Sequence, residues 1–312
     1  MPLTALITGG AGFLGQVCAK HFHSAGWRVV GIGHGRWTID EAYAAGYEHW
    51  INTSVSKESL IGLEERLDAV VHCAGSGSVA YSFEQPFCSF KNTVGTTATL
   101  LEYLRQHAPK AFVLYPSSAA VYGATTDTPL AETDTPNPVS PYGFHKLMVE
   151  SLLAAHNQAF GQPTIAVRFF SIYGPGLRKQ LLWDASRRFL SGISPQTFWG
   201  TGSETRDWIY VDDAARLLLF LAEKEKNSQK SATHQVINAA NGSRVTVREV
   251  LDRLSVALGS SPHIAFNGAL RAGDPRFYQA DVRKLQALGW KPNVGIESGL
   301  ANYATWIRAL TN

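Results

Sequence analysis

Tyr142 and Lys146 stand four residues apart in the stretch Ser140-Pro141-Tyr142-Gly143-Phe144-His145-Lys146. Ser140 is a good helix N-cap and Pro141 suits the first helical position. The spacing therefore predicts a helix over 142–160 with both side chains on one face. A free phenol has a pKa near ~10 and supplies little phenolate at neutral pH. An ammonium group on the same face favours the phenolate, and bringing the pKa to about 7 takes roughly 4 kcal/mol, within reach of a close, partly desolvated charge. Such a tyrosine takes a proton from a hydroxyl in one direction and returns it in the other. Ser117-Ser118-Ala119-Ala120-Val121-Tyr122-Gly123 follows a β-rich run at 111–115. A hydroxyl there lies at the carboxyl edge of a sheet, where it can bond the same oxygen. His145 is one position off the Tyr142–Lys146 face and reads as packing or surface.

A second constellation opens the chain. In Leu6-Ile7-Thr8-Gly9-Gly10-Ala11-Gly12-Phe13-Leu14-Gly15, three glycines recur every third position between a strand and a helix. Gly9 permits the tight turn, Gly12 lets backbone approach a pyrophosphate, and Gly15 lets helix and strand pack closely. Free N–H groups and the helix dipole then meet the phosphates of a dinucleotide. In such units an acid about 20 residues further on grips the adenosine ribose. Here the next strand runs into Gly31-Ile32-Gly33-His34-Gly35-Arg36. An acid at position 33 would bond the ribose 2′-hydroxyl and repel a 2′-phosphate, and Gly33 does neither. His34 and Arg36 put cations near that oxygen instead. The expected cofactor is NAD(P), with the lean to NADP.

These groups need a scaffold. Apolar runs at 3–7, 28–32, 69–73, 111–115 and 164–170 alternate with helical stretches at 14–25, 57–66, 87–106 and 142–160. Uninterrupted apolar strands in β/α alternation imply a parallel sheet covered on both faces, and right-handed crossovers make it doubly wound. The expected fold is thus α/β: a doubly wound parallel sheet of the Rossmann kind with a smaller α/β substrate-binding lobe. Residues 1–172 form the dinucleotide domain, with 205–240 returning to it through a strand at 208–211. Residues 173–204 and 241–312 form the lobe.

Composition narrows the classes. The 312 residues are 45% hydrophobic and 17% charged with a net charge of +3, which suits a soluble protein with a sizeable core and gives no footprint for nucleic acid or membrane. Cys18, Cys73 and Cys88 form no metal spacing, so no metal is expected, and three sparse cysteines suggest reduced thiols in a cytoplasmic protein. No signal peptide is expected at the N-terminus, and no apolar run nears the ~20 residues of a membrane span.

The GxxGxxG loop, the strand-end serine and YxxxK together resemble the extended branch of the short-chain dehydrogenase/reductase superfamily, the NAD-dependent epimerase/dehydratase family, over nearly the whole chain. The resemblance implies that Ser118, Tyr142 and Lys146 are catalytic. It implies a cofactor site built from Gly9, Gly12, Phe13, Leu14, Gly15, Ala74 and Gly75 of His72-Cys73-Ala74-Gly75, Asn92 as a brace for the active-site backbone, Tyr142, Lys146, and Phe169 at the nicotinamide end, beside the cations His34 and Arg36 that this sequence places next to Gly33. Thr53 stands where an aspartate usually meets the adenine. Val79 and Ser82 match a substrate-side loop. Ser171 replaces an asparagine in the Arg168-Phe169-Phe170-Ser171 segment. Thr205-Arg206-Asp207-Trp208-Ile209-Tyr210-Val211-Asp212-Asp213 and Arg271-Ala272-Gly273-Asp274 match two late blocks. By resemblance, Arg206 and Arg271 hold a substrate diphosphate and Asp274 its ribose; Lys179 is a further candidate for the diphosphate. Tyr278 matches a gate that disfavours N-acetylated sugars.

Family dehydratases carry an Asp-Glu pair after the strand-end hydroxyl, and here those positions are Ala119 and Ala120. Dehydration is therefore not expected. The resemblance implies oxidoreduction at C4 of a nucleotide-diphosphate sugar: a 4-epimerase of the galactose-epimerase type, alternatively an NADPH-dependent 4-ketosugar reductase, and remotely a non-catalytic dinucleotide sensor. A homodimer is implied, with the helices at 87–106 and 142–160 forming a four-helix bundle across a two-fold.

Overall fold

The computed structural model describes residues 2–35, 37–63, 66–125, 127–226, 233–269 and 275–310. In chain order it places β1 (Thr4–Thr8), α1 (Phe13–Ser24), β2 (Arg28–Gly33), α2 (Ile39–Ala44), β3 (His49–Asn52), α3 (Lys57–Ile61), β4 (Ala69–His72), α4 (Val79–Glu84), α5 (Pro86–Phe90), a π-type turn (Lys91–Gly95), α6 (Thr96–His107), β5 (Phe112–Ser118), a 3₁₀ turn (Ala119–Val121), α7 (Pro141–Phe160), β6 (Thr164–Phe169) and β7 (Ser171–Tyr173). There follow α8 (Gln180–Leu190), β8 (Gln196–Phe198), β9 (Thr205–Tyr210), α9 (Val211–Lys226), β10 (His234–Ala239), β11 (Arg244–Thr246), α10 (Val247–Ala257), β12 (Ile264–Phe266), α11 (Arg283–Ala287) and α12 (Ile296–Ala309).

Seven strands form one sheet in the order β10-β6-β5-β4-β1-β2-β3. β1 pairs parallel with both β2 and β4, β2 with β3, and β4 with β5. This is the doubly wound sheet that the apolar runs predict. β1 is buried at all five positions and β4 at all four, as strands covered on both faces must be. Leu6, Val30, Val70, Val113 and Ala166 from five strands meet Leu100, Leu104, Val149 and Leu153 of α6 and α7 in one core cluster. The order reverses between β1 and β4, which is where an open α/β sheet leaves a crevice at its carboxyl edge.

The chain divides into two compact units: 1–123 with 135–168 and 214–237, and 124–134 with 169–213 and 238–312. The second unit contains a three-stranded sheet, β11-β9-β7, and a two-stranded pair, β12-β8. The strand expected at 208–211 to rejoin the first sheet is the end of β9, which pairs with β7 and β11 instead. The reason is Asp207. Its fully buried carboxylate accepts the N–H groups of Asn241 (3.0 Å) and Ala280 (3.2 Å), which ties β9 to segments of its own unit. Burial pushes that carboxyl up to about 7 against the pull of these backbone donors.

Candidate active site

The glycine loop lies at the reversal point. Gly9 adopts φ +63°, and a β-carbon there would fall 2.8 Å from the Ala74 nitrogen, so the loop meets the end of β4 backbone to backbone. A β-carbon at Gly15 would fall 2.5 Å from the Gly9 carbonyl oxygen, so only glycine lets α1 start this close to β1. Gly12 caps α1 without a side-chain bond, and no acid stands in the first turn. The leading N–H groups of α1, at Phe13 and Leu14, are therefore not taken by a capping side chain, and the turn fits an anion such as a pyrophosphate.

A buried hydrogen-bonded chain fixes this loop to β4 and α6. The Thr97 hydroxyl donates to the Thr93 carbonyl (2.7 Å), so it accepts from His72 Nε2 (3.0 Å). His72 Nδ1 then accepts from the Thr8 hydroxyl (2.7 Å), whose oxygen takes the Ala74 N–H (3.2 Å). Burial, joined by the charge of Lys146, lowers the His72 pKa to about 3, so the ring is neutral and this tautomer holds. The neighbouring Ser76 N–H goes to the Thr93 hydroxyl (3.1 Å). Asn92, expected as the brace, is exposed; Thr93 and Thr97 carry the bracing. The 87–106 helix runs through the π-type turn at 91–95, which shifts which side chains face inward.

Ser118, Tyr142 and Lys146 converge in the same unit. Ser140 caps α7 by accepting the Gly143 N–H (3.1 Å), with Pro141 in the first turn. The Tyr142 N–H goes instead to the Ser82 hydroxyl (3.0 Å), which also donates to the Val79 carbonyl (2.6 Å). Ser82, expected to face substrate, is fully buried, and its oxygen is committed to holding the backbone of Tyr142. Gly143 carries a role that the sequence reading misses. A β-carbon there would lie 2.5 Å from the Ala120 carbonyl, so this glycine lets α7 reach the turn that follows Ser118.

The Ser118 hydroxyl hydrogen-bonds the Tyr142 phenol. Lys146 is buried, donates to the Pro116 carbonyl (2.7 Å), and lies 4.5 Å from the Tyr115 ring centre and 5.8 Å from that of Tyr142. In this chain burial raises the Tyr142 pKa above its ordinary value, and the Ser118 bond pulls it down. Desolvation thus outweighs the Ser118 bond, opposite to the net shift expected from the sequence. A nearby positive charge from an oxidised nicotinamide is what would lower it.

Gly33 pairs with Asn52, so His34 and Thr53 leave the sheet side by side, and both are exposed. Gly75 follows Ala74 with φ +142°. Phe169 ends β6 and is buried. In the second unit, Ser171 pairs with Trp208 across β7 and β9, and the Arg206 guanidinium lies 5.7 Å over the Tyr278 ring, with its Nη1 on the Thr205 carbonyl (2.8 Å). Tyr278 is nearly buried and meets Phe170 edge to face. Lys179 is exposed just ahead of α8. Arg36, Arg271 and Asp274 lie outside the described residues. Among the described residues no His/Cys/Asp/Glu cluster could hold a metal, and no helix is long and apolar enough to cross a membrane.

The chain resembles known proteins along almost its full length. UDP-glucuronate 4-epimerase 3 of Arabidopsis thaliana is 27% identical over 330 residues, covering 97% of this chain and 76% of that one. The structure of MoeE5 in complex with UDP-glucose and NAD superposes with a TM-score of 0.87 at 31% identity, covering 99% of this chain and 100% of the other. That of UDP-glucuronic acid 4-epimerase from Bacillus cereus, in complex with UDP-glucuronic acid and NAD, gives 0.86 at 27% identity over 99% and 100%. A family model matches residues 5–240, from the first strand through the glycine loop and the Ser118–Tyr142–Lys146 cluster to the last strand of the large sheet, and the chain belongs to the NAD dependent epimerase/dehydratase family.

Proposed function

We propose that this protein is a nucleotide-sugar 4-epimerase that works through a transient 4-keto sugar. The observation that carries the reading is the Tyr142 phenol bonded to Ser118, with Lys146 beneath it, in the same unit as an anion-ready glycine loop. Tyr142 takes the C4 hydroxyl proton and later returns it, while Ser118 bonds the same oxygen. Held on the loop of Gly9, Gly12 and Gly15, a dinucleotide would supply the acceptor and later the donor of the C4 hydride. Ala119 and Ala120 provide no acid or base to move a C5 proton, so the ketone is reduced again rather than dehydrated. The first unit holds the dinucleotide. By the same reading Arg206, Arg271 and Lys179 take the substrate diphosphate, Asp274 its ribose, Ser171 the sugar side and Tyr278 the role of gate, and Val79 belongs to a substrate-side loop. The names of the relatives above support a UDP-sugar as the substrate class. Free Cys18, Cys73 and Cys88 accord with a cytoplasmic location.

The cofactor is NAD(P). The structural neighbours hold NAD. Gly33 without a carboxylate, next to His34 and Arg36, favours NADP and with it a second reading, a 4-ketosugar reductase drawing on free NADPH. Incubation with UDP-glucose, UDP-galactose and UDP-glucuronate without added cofactor separates the two. Isomerisation supports the epimerase, and NADPH consumption with a 4-keto sugar alone supports the reductase. Arg36→Ala should weaken NADP binding roughly tenfold and leave NAD binding unchanged, as loss of one guanidinium–phosphate contact would. Titration calorimetry showing equal losses for both would remove the phosphate contact.

The reading includes a homodimer. Phe83 and Phe87 of α4 and α5, the latter 74% exposed, and Phe144 and Met148 of α7 put apolar side chains in water on helices that pack together. Burying them against a second copy removes that cost. Light scattering should show a dimer for the unaltered chain and a monomer for Phe87→Glu/Met148→Glu. A monomeric unaltered chain would refute the assembly.

A further inference from the structure

Tyr142, Lys146 and Glu150 recur every fourth residue, so they share one stripe of α7. A buried lysine and glutamate one turn apart would ordinarily pair with each other. Here Glu150 turns elsewhere. Its carboxylate accepts Arg168 Nη2 (2.7 Å) and Nε (3.1 and 3.2 Å) and the Ser117 hydroxyl (2.5 Å). Arg168 and Glu150 are each only 4% exposed, and the guanidinium stacks 4.8 Å over the Tyr122 ring. Lys146 keeps its Pro116 contact, one residue before Ser117 on β5. The pair therefore stands between the serine strand and the tyrosine helix, and its two charges cancel at the foot of the catalytic stripe.

We infer that Arg168 is a positioning residue for proton transfer at Tyr142: by neutralising Glu150 it keeps that carboxylate on Ser117 and leaves the Lys146 cation on the Pro116 carbonyl, 5.8 Å from the Tyr142 ring centre. Without Arg168, Glu150 becomes a buried anion one turn from Lys146 and two turns from Tyr142. It then draws the ammonium down the helix and opposes formation of the phenolate, and both effects act in the same direction. At the ~12 Å that eight helical residues span, one uncompensated charge moves a titration by about one pH unit at an effective dielectric of ~20. Other ionisable groups around this stripe are His72 of β4, Cys73 just after it, Tyr115 of β5 and Tyr122 beyond it; the helices packed against α7 add Tyr81 and Glu84 of α4, Cys88 of α5, Lys91 of the π-type turn, and Glu102, Tyr103, Arg105 and His107 of α6. His72 is held neutral by burial, and burial likewise drives the Tyr115 phenol well above its ordinary range.

The inference rests on the epimerase reading, and the test keeps the two apart. The acidic limb of the turnover–pH profile is measured with a UDP-sugar for the unaltered chain, Arg168→Met, Glu150→Gln and the double variant. In parallel, ionisation of Tyr142 is followed by ultraviolet phenolate absorbance, using Tyr142→Phe as the blank, which needs no turnover. Arg168→Met should move both titrations up by about one unit, Glu150→Gln should move them down, and the double variant should restore the original position. Arg168→Lys, which keeps the charge, should leave them in place even where packing lowers kcat. A unit that merely holds the fold would lower kcat in all variants, the double most, without moving the limb, and that outcome overturns the inference. No turnover by the unaltered chain on any UDP-sugar would instead overturn the epimerase reading, while the absorbance titration would still decide the role of Arg168.

Discussion

Tyr142→Phe is expected to lower turnover by about 10²- to 10⁴-fold, the range a positioned general acid–base contributes, with dinucleotide affinity held within about twofold. The substitution removes one oxygen and keeps the ring. The substituted side chain would retain its place on α7, because that place is set by backbone contacts: Ser140 on Gly143 and Ser82 on the backbone N–H of residue 142. Lys146 would keep its carbonyl partner at Pro116. The one hydrogen bond lost is that to Ser118, a matter of about 1 kcal/mol in stability. A melting temperature close to that of the unaltered chain, together with tight dinucleotide binding and absent turnover, would assign the loss to the proton. Turnover within tenfold of normal would sink the mechanism. The pH profile follows with a defined sign. The base must be the phenolate, so turnover falls as pH drops below the phenol's pKa in the loaded enzyme. Burial raises that pKa in the free chain. A phenolate titration without dinucleotide should therefore lie at higher pH than the kinetic limb measured with it.

Tyr142 and Lys146 are legible in the sequence because they obey short-range rules, helix cap and helical period; a strand-end hydroxyl is legible too, but the choice of Ser118 over Ser117 rests on the resemblance. The parallel sheet is legible for a similar reason, since strands buried on both faces must be apolar throughout. What escapes depends on partners distant in the chain. Glu150 occupies the next place on the Tyr142–Lys146 stripe, yet an acid in a helix reads as surface until Arg168, eighteen residues on, is seen to reach it. Ser82 reads as a loop residue facing substrate, and only the start of α7, sixty residues later, shows what its hydroxyl holds. Asn92, a brace by resemblance alone, is exposed within a wide turn at 91–95 that interrupts the α-helical register. Asp207 belongs to a legible motif, but its service to Asn241 and Ala280, which keeps β9 in the second unit, is long-range.

Gly33 is the residue whose sequence reading the structure changes most. The absence of an acid reads as a choice of cofactor, and restoring one, Gly33→Asp, would on that logic improve NAD binding. The structure implies the reverse. A β-carbon at position 33 would fall 2.6 Å from Trp50 Cη2, 3.0 Å from the Ala11 nitrogen and 3.2 Å from the Gly10 nitrogen. Gly33 has no positive φ to excuse it, so the requirement is one of space alone. Trp50 cannot simply yield. It packs against Trp37 (5.5 Å) and Tyr47 (5.2 Å), and the Tyr47 hydroxyl bonds the carbonyls of Gly10 and Gly15 (3.0 and 3.1 Å). Pressure on the indole is thus passed to the backbone that receives the pyrophosphate. Overpacking of this kind costs about 1–3 kcal/mol, so Gly33→Asp should lower the melting temperature and weaken NAD and NADP together by roughly 10- to 100-fold. Gly33→Ala, which adds the β-carbon without charge, should show most of the same loss, placing the cause in crowding rather than in repulsion of a phosphate. Calorimetry that found tighter NAD binding in Gly33→Asp, with an unchanged melting temperature, would show that the indole moves aside. Gly33 would then be a cofactor choice after all, and the aromatic cluster would have no part in holding the loop.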